Sequence, residues 1–330
     1  MNERIWVAGH RGMVGSSITR LLRSQGRNVI TVDRAILDLR KQDEVEFWLR
    51  ANQPTSIVFA AAKVGGIIAN STYPADFIYD NLTIQTNVIH GAHKAGVDRL
   101  VFLGSSCIYP KFAEQPIKES SLLTGPLEPT NEWYAIAKIS GIMTCQAYRK
   151  QYGRHYVSVM PCNLYGPNDN FNSETSHVLP ALIRKFHAAK VSGAREVEVW
   201  GTGNPLREFL HVDDLANGVV HCLDHYDEYE HINCGAGYEV TICELAKIVG
   251  RAVGFEGSLV FDTTKPDGTP RKIMDSSRIR AMGWKPEISF EEGIASAYRW
   301  YLEHIVPLES PPAHFQAVNG GAGALTADFL

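Results

Sequence analysis

The stretch RIWVAGHRGMVGSSITRLL, residues 4–22, decides the fold. Arg4–Ala8 is a short apolar run, as a buried parallel strand is. Gly9, Gly12 and Gly15 follow at once, and a helix-like segment near 13–25 continues from them. Glycines at this spacing let backbone approach a pyrophosphate, while the unpaired N–H groups that open a helix point at it. An ordinary strand-to-helix turn would use glycine as well. The position between the first strand and the first helix is what favours a dinucleotide loop, formed by Gly9, His10, Arg11, Gly12, Met13, Val14 and Gly15.

Outward from this loop the pattern repeats. Val29–Val32, Ser56–Ala62, Leu100–Leu103 and His155–Met160 are further apolar runs, and helix-like segments near 41–51, 74–95 and 130–152 lie between them. Such alternation predicts an α/β chain with a Rossmann-type doubly wound parallel sheet. After Tyr165 the Gly, Pro and Asn of YGPNDNFNS read as a loop, followed by a helix near 179–191 and a strand at 196–200. FLHVDDLANGVVHCLDH reads as a return to the first lobe; short helices, a strand at 258–261 and the turn KPDGTPRK come after it. The expected division is residues 1–165 plus about 208–236 for the dinucleotide-binding domain, and about 166–207 plus 237–305 for a smaller α/β substrate-binding lobe. Residues 306–330 show no periodicity and are expected to form a mobile or partner-contacting tail.

Composition narrows the class. The chain has 330 residues, 45% hydrophobic and 21% charged, which suits a globular protein with a sizeable core. A net charge of −4 gives no general pull toward nucleic acid or an anionic membrane. No apolar run is long enough to span a bilayer, and MNERIWVAGH does not read as a signal peptide. The six cysteines lie scattered without metal-ligand spacing, so no metal is expected and a reducing, cytoplasmic setting is.

Two features carry chemistry. Tyr134 and Lys138 in YAIAK are four residues apart and share a helix face, where an ammonium is expected to lower the tyrosine's pKa from about 10 toward working pH. LGSSCIYP, residues 103–110, ends a strand on two hydroxyls and a thiol; Ser105 is preferred over Ser106 as the substrate-bonding hydroxyl. Taken singly, each has a bland reading: an amphipathic surface for the first, a packed free cysteine for the second. The second strand leaves cofactor choice open. Asp33, 18 residues after Gly15, is the acid that binds an NAD ribose in such folds, whereas Arg34 and Arg11 could clamp a 2′-phosphate, the reading we favour.

Together the glycine loop, Ser105, Tyr134 and Lys138 resemble the short-chain dehydrogenase/reductase superfamily, in its extended, nucleotide-sugar branch. AGHRGMVGS, AAAKVGGIIANSTYPADFIYDN, LGSSCIYPK, EPTNEWYAIAKI, MPCNLYGPNDNF, SHVLPAL, REFLHVDDLA and KPDGTPRK resemble the GDP-L-fucose synthase family more closely. That resemblance implies an epimerase–reductase acting on GDP-4-keto-6-deoxy-D-mannose with NADPH. A ketone at sugar carbon 4 acidifies the C–H bonds of carbons 3 and 5, and inverting each needs a base and an acid. The resemblance assigns that pair to Cys107 and His177; apart from it, His177 reads as a helix-start residue capped by Ser176. It further implies cofactor contacts from Arg34, Leu103, Gly104, Ser105, Ser106, Lys138, Pro161, Cys162, Asn163, Leu164 and His177. For the GDP-sugar it implies a diphosphate-binding Arg207, and by analogy with the superfamily a homodimer; Lys185 and Arg271 as further cations, Asp267 as an acceptor for ribose or base and Trp200 as a stacking ring are candidates beside it, against plain readings of a surface lysine and a Pro-Asp-Gly turn. The competing expectations are a colitose-type enzyme inverting carbon 5 only, an NAD-dependent 4-epimerase supported by Asp33, and a non-catalytic NADP sensor.

Overall fold

The computed structural model describes residues 3–172, 175–265 and 267–309. Strands β1 (Ile5–Ala8), β2 (Val29–Ile30), β3 (Ser56–Phe59), β4 (Arg99–Leu103) and β5 (His155–Pro161) alternate with helices α1 (Met13–Ser24), α2 (Gln42–Asn52), α3 (Ile67–Thr72), α4 (Pro74–Lys94) and α5 (Glu132–Tyr152). β1, β3 and β5 are buried along almost their whole length, which is why they read as continuous apolar runs rather than alternating ones. β6 (Asn163–Tyr165), α6 (Val178–Ser192), β7 (Glu196–Trp200), β8 (Leu206–Arg207), β9 (Phe209–His211), α7 (Val212–His225) and β10 (Ile232–Cys234) follow.

β10 pairs with β5, so the six-stranded sheet runs β10-β5-β4-β3-β1-β2, all parallel. Strand order reverses between β1 and β3, and a crevice at the carboxyl ends of the strands is the usual ligand position in such sheets. α7 returns against α1, fixed there by Asp213, whose Oδ1 accepts from Ser17 at 2.5 Å and pairs with Arg20.

A second apolar core lies among α6, α8 (Ile242–Val253) and α10 (Phe290–His304), with Phe186, Leu245, Val249 and Ile294 fully enclosed. β7 alternates Glu196 out, Val197 in, Glu198 out, Val199 in, Trp200 out, and pairs in parallel with β12 (Ser258–Asp262). β11 (Val240–Thr241), β8 and β13 (Arg271–Lys272) form a small sheet. α9 (Ser277–Ala281) and α11 (Val306–Glu309) complete the order.

A β-bridge is among the contacts that join the two regions: Ile117 donates to the Ile273 carbonyl at 2.8 Å, and Asp275 donates back to Ile117 at 2.8 Å.

Several expectations needed correction. β2 stops at Ile30, because the chain turns at Asp33, whose carbonyl accepts from both Ile36 and Leu37. β3 stops at Phe59, where the backbone of Ala60 and Ala61 passes directly over Gly9. α3 was not expected, and α8 and α10, of 12 and 15 residues, are longer than short helices. The tail is a helix through Glu309; its expected mobility from 310 on lies outside the described residues.

Candidate active site

The glycine loop forms a cradle. Gly9 holds φ at +88°, and a Cβ there would meet Ala61 N at 2.7 Å. A Cβ on Gly15 would lie 2.1 Å from the Gly9 carbonyl oxygen. Gly12 caps α1 in an extended conformation without any side-chain acceptor, so the first N–H groups of α1 are left to a ligand. Asn168 fastens the loop from outside, donating to the Arg11 carbonyl at 2.8 Å. A dinucleotide pyrophosphate fits this arrangement, because at Gly9 and Gly15 the backbone leaves no room for a side chain and the helix N-terminus faces it uncapped. Asp33 is turned to the same loop, with its Oδ2 2.5 Å from Arg11 Nη2 and its Oδ1 3.2 Å from His10 Nε2. Arg34 is exposed.

The second group gathers where β4 ends. Leu103 and Gly104 lead out of the strand, and Gly104 donates to Val159 at 2.9 Å. Ser105 then caps a 3-10 turn, Ser106–Ile108, its Oγ accepting from the Cys107 N–H at 3.3 Å. Ser106 and Cys107 are buried. Lys138 lies beneath on α5, only 4% exposed, donating to the Leu103 carbonyl at 2.7 Å, with its ammonium 4.8 Å from the Phe102 ring and 5.8 Å from that of Tyr134. Ser105, Cys107, Tyr134 and Lys138 are therefore brought together.

The electrostatics differ from the sequence expectation. Burial pushes Lys138 down to about 8. Burial, reinforced by Cys107, pushes Tyr134 well above its ordinary value rather than below it. The reason is that burial penalises the phenolate more than any nearby charge favours it. Tyr134 thus stays a protonated donor. Burial also raises the Cys107 thiol, opposed by Lys272 first, then Ser105 and Lys138.

Pro161 ends β5, and Cys162, Asn163 and Leu164 continue beside it into β6. Cys162 is buried and donates its N–H to Cys234, while the Asn163 amide donates to the Glu208 carbonyl at 2.8 Å. His177 stands at the N-cap of α6 with extended backbone and no capping bond of its own, so the cap is His177 and not Ser176. It is exposed, yet the surrounding protein lowers its imidazole. The chain before it is held by Gly66, which donates to Thr175 at 3.1 Å. Among the described residues no hydrogen bond joins His177 to Cys107.

The GDP-sugar candidates divide. Lys185 Nζ is 5.1 Å from the ring of Trp200, and Lys265 Nζ is 5.5 Å from it. Asp267 is committed to a turn, accepting from Thr202 N at 2.7 Å and Thr202 Oγ1 at 2.8 Å. Arg207 is half-buried and makes no carboxylate pair among the described residues; its Nη1 donates to Leu206 at 2.8 Å. Arg271, however, is engaged: its Nε donates to both Glu239 oxygens at 2.9 Å, and Nη2 reaches Oε1 at 2.7 Å. On a strand the next residue takes the other face, and Lys272 does. Lys272 has no hydrogen-bond or ion-pair partner among the described residues, burial lowers its pKa, and its charge bears chiefly on Cys107 and Arg207. Sequence reasoning passed over Lys272; the period-2 alternation of PRK against an acidic Glu239 was the available signal.

Fold and site together define a dinucleotide-dependent enzyme of the epimerase and reductase class. The family described as NAD dependent epimerase/dehydratase matches residues 5–235. GDP-L-fucose synthase 1 of Arabidopsis thaliana is 63% identical over 305 residues, 92% of this chain and 94% of that one. The GDP-L-fucose synthase of Escherichia coli (strain K12) is 52% identical over 312 residues, 92% and 97% respectively. Among solved structures, a GDP-L-fucose synthetase from Naegleria fowleri bound to NADP superposes with a TM-score of 0.84 at 29% identity, covering 92% of this chain and 95% of that one. The chain belongs to the NAD dependent epimerase/dehydratase family and, within it, to the GDP-L-fucose synthases.

Proposed function

We propose that this chain converts GDP-4-keto-6-deoxy-D-mannose to GDP-L-fucose, inverting sugar carbons 3 and 5 and reducing carbon 4. The observation that carries the reading is a thiol, Cys107, set in the same turn as Ser105 and beside Tyr134 and Lys138. A reductase alone has no use for that thiol. NADP binds along the glycine loop and the ends of β4 and β5, and supplies the hydride for carbon 4.

The chain's own residues do the rest. Cys107 and His177 form the proton-transfer pair for inversion, one removing the proton beside the ketone and the other returning it on the opposite face. Ser105 and Tyr134 bond the carbon-4 oxygen, which stabilises the enolate between inversions. Tyr134 then donates its proton to that oxygen on reduction, a role suited to a phenol held in its protonated form. Loss of the ketone ends the acidity of carbons 3 and 5, so reduction fixes the new stereochemistry. Lys185, Trp200 and Arg207 hold the GDP portion, and the charge of Lys272 acts on both Cys107 and the pyrophosphate cation Arg207.

We assign residues 1–165 with 208–236 to cofactor binding and 166–207 with 237–305 to substrate binding. The reading includes a homodimer through α4 and α5, on which Tyr79, Trp133 and Met143 are exposed, and a cytoplasmic setting. No described helix is long and apolar enough to cross a membrane.

The test is isotopic. Incubation with the keto-sugar in deuterated water, without NADPH, should place one deuteron at carbon 3 and one at carbon 5; adding NADPH should yield GDP-L-fucose. Cys107→Ser should fold and bind NADP but lose more than a hundredfold of the exchange. Deuterium at carbon 5 alone would indicate a colitose-type enzyme, and none at either carbon would defeat the epimerase reading.

A further inference from the structure

An acid at the end of the second strand ordinarily bonds the ribose diol of NAD and repels a 2′-phosphate. Asp33 occupies that position, in a chain read above as using NADP, and the inference here rests on that reading. Both carboxylate oxygens are taken: Oδ2 by Arg11 at 2.5 Å and Oδ1 by His10 at 3.2 Å. Arg11 and His10 are adjacent on the glycine loop, whose position Asn168 fixes through the Arg11 carbonyl. The other charges nearby are spoken for differently. Asp38 is paired with Arg40, which also approaches Asp80 at 3.5 Å. Arg34 is exposed and has no direct partner among the described residues.

We propose that Asp33 is the residue that sets dinucleotide choice in this chain, and that it does so by holding Arg11. The pair has two consequences. Neutralised by Arg11, the carboxylate no longer repels a 2′-phosphate outright, and Arg34 beside it stands unengaged to receive one. Yet a 2′-phosphate must draw Arg11 away from Asp33 before it gains that guanidinium, which restrains the preference for NADP. The same carboxylate, swung off Arg11, can accept from a ribose diol. The chain therefore binds NADP more tightly than NAD by a modest margin and retains usable affinity for both.

Equilibrium binding measures this without turnover. Titration calorimetry with NADP⁺, NAD⁺, adenosine 2′,5′-bisphosphate and 5′-AMP would be run on the whole protein and on Asp33→Asn, Arg11→Ala and the double variant. Asp33→Asn should tighten NADP⁺ and the bisphosphate about tenfold, equal to about 1.4 kcal/mol, while NAD⁺ stays level or weakens. Arg11→Ala should weaken NADP⁺ about tenfold, and adding Asp33→Asn should recover part of that loss. A ratio of NADP⁺ to NAD⁺ affinity that moves less than twofold in Asp33→Asn would overturn the proposal. So would tightening of NAD⁺ in that variant. Binding of neither dinucleotide by the unaltered chain would instead overturn the functional reading on which the proposal rests.

Discussion

Cys107 sits where two demands conflict. A proton-transfer thiol needs access to its thiolate, and burial at 6% exposure opposes that charge. The first opposing influence is the Lys272 ammonium, itself desolvated and without a partner among the described residues. Lys272→Met should therefore shift the pH profile of deuterium exchange to higher pH and slow exchange at neutral pH about tenfold or more. Arg271→Met, one residue away but bonded to Glu239 on the outside, should leave the profile unmoved. Equal effects of the two substitutions would sink the idea that strand alternation sorts their roles. The grouping of these residues was legible where a motif fixes the spacing: Tyr134 and Lys138 share a face of α5, and Lys138 reaches the end of β4 beside Ser105. What the letters did not reveal was direction. Whether Arg271 or Lys272 faces inward depends on where β13 pairs with β8, and the upward shift of Tyr134 depends on how much protein surrounds it.

At the scale of elements, the link from β1 to α1 was the most legible, because its glycines are demanded by sterics rather than by propensity. Gly15 is the tightest, since its neighbour is the rigid backbone of Gly9 rather than a flexible side chain. Gly15→Ala should cost about 1–3 kcal/mol by overpacking and abolish NADP binding, as checked by urea denaturation and by titration with the dinucleotide. Retention of wild-type affinity would show that the loop can re-form around a methyl group. α10 was under-read, although its start carries a capping box in which Ser289 and Glu292 exchange bonds. α3 had no comparable signal: six residues ending before Pro74 have too little periodicity to declare themselves, and the bend at Tyr73 follows from the proline after it. The ends of β2 and β3 were missed for a related reason, since Val32 and Ala60–Ala62 read as apolar continuations, whereas the turn at Asp33 and the passage of Ala60 and Ala61 over Gly9 are tertiary features.

For the whole molecule, one buried histidine sets an acid limit. Tyr109 donates to Asn233 Oδ1 at 2.5 Å, so its oxygen is left to accept from His231 Nε2 at 2.9 Å, which fixes a neutral tautomer. Burial pushes His231 down to about 4. In the unfolded chain it titrates near its ordinary value of about 6.5. At this group the unfolded state therefore binds more protons between these values, and the contribution of His231 to stability is complete above the upper one and falls as pH drops toward the lower. The loss is about 3 kcal/mol by linkage. Between pH 7 and pH 4.5 the unaltered chain should lose about that much more stability than His231→Gln, as read from urea midpoints; an equal change in the two would place the acid sensitivity elsewhere.

The paired amides at Ile117 and Asp275 extend this to motion. The first belongs to the connection that follows Cys107 toward α5, the second to the chain just beyond Lys272, and each N–H is locked only while the other strand segment is in place. Any opening that separates thiol from ammonium must release both protons together. In native-state hydrogen exchange the two amides should then share one protection factor, and a substrate that spans the cleft should slow both by the same ratio. Two backbone positions at residues named for neither substrate nor cofactor contact would thus report its arrival.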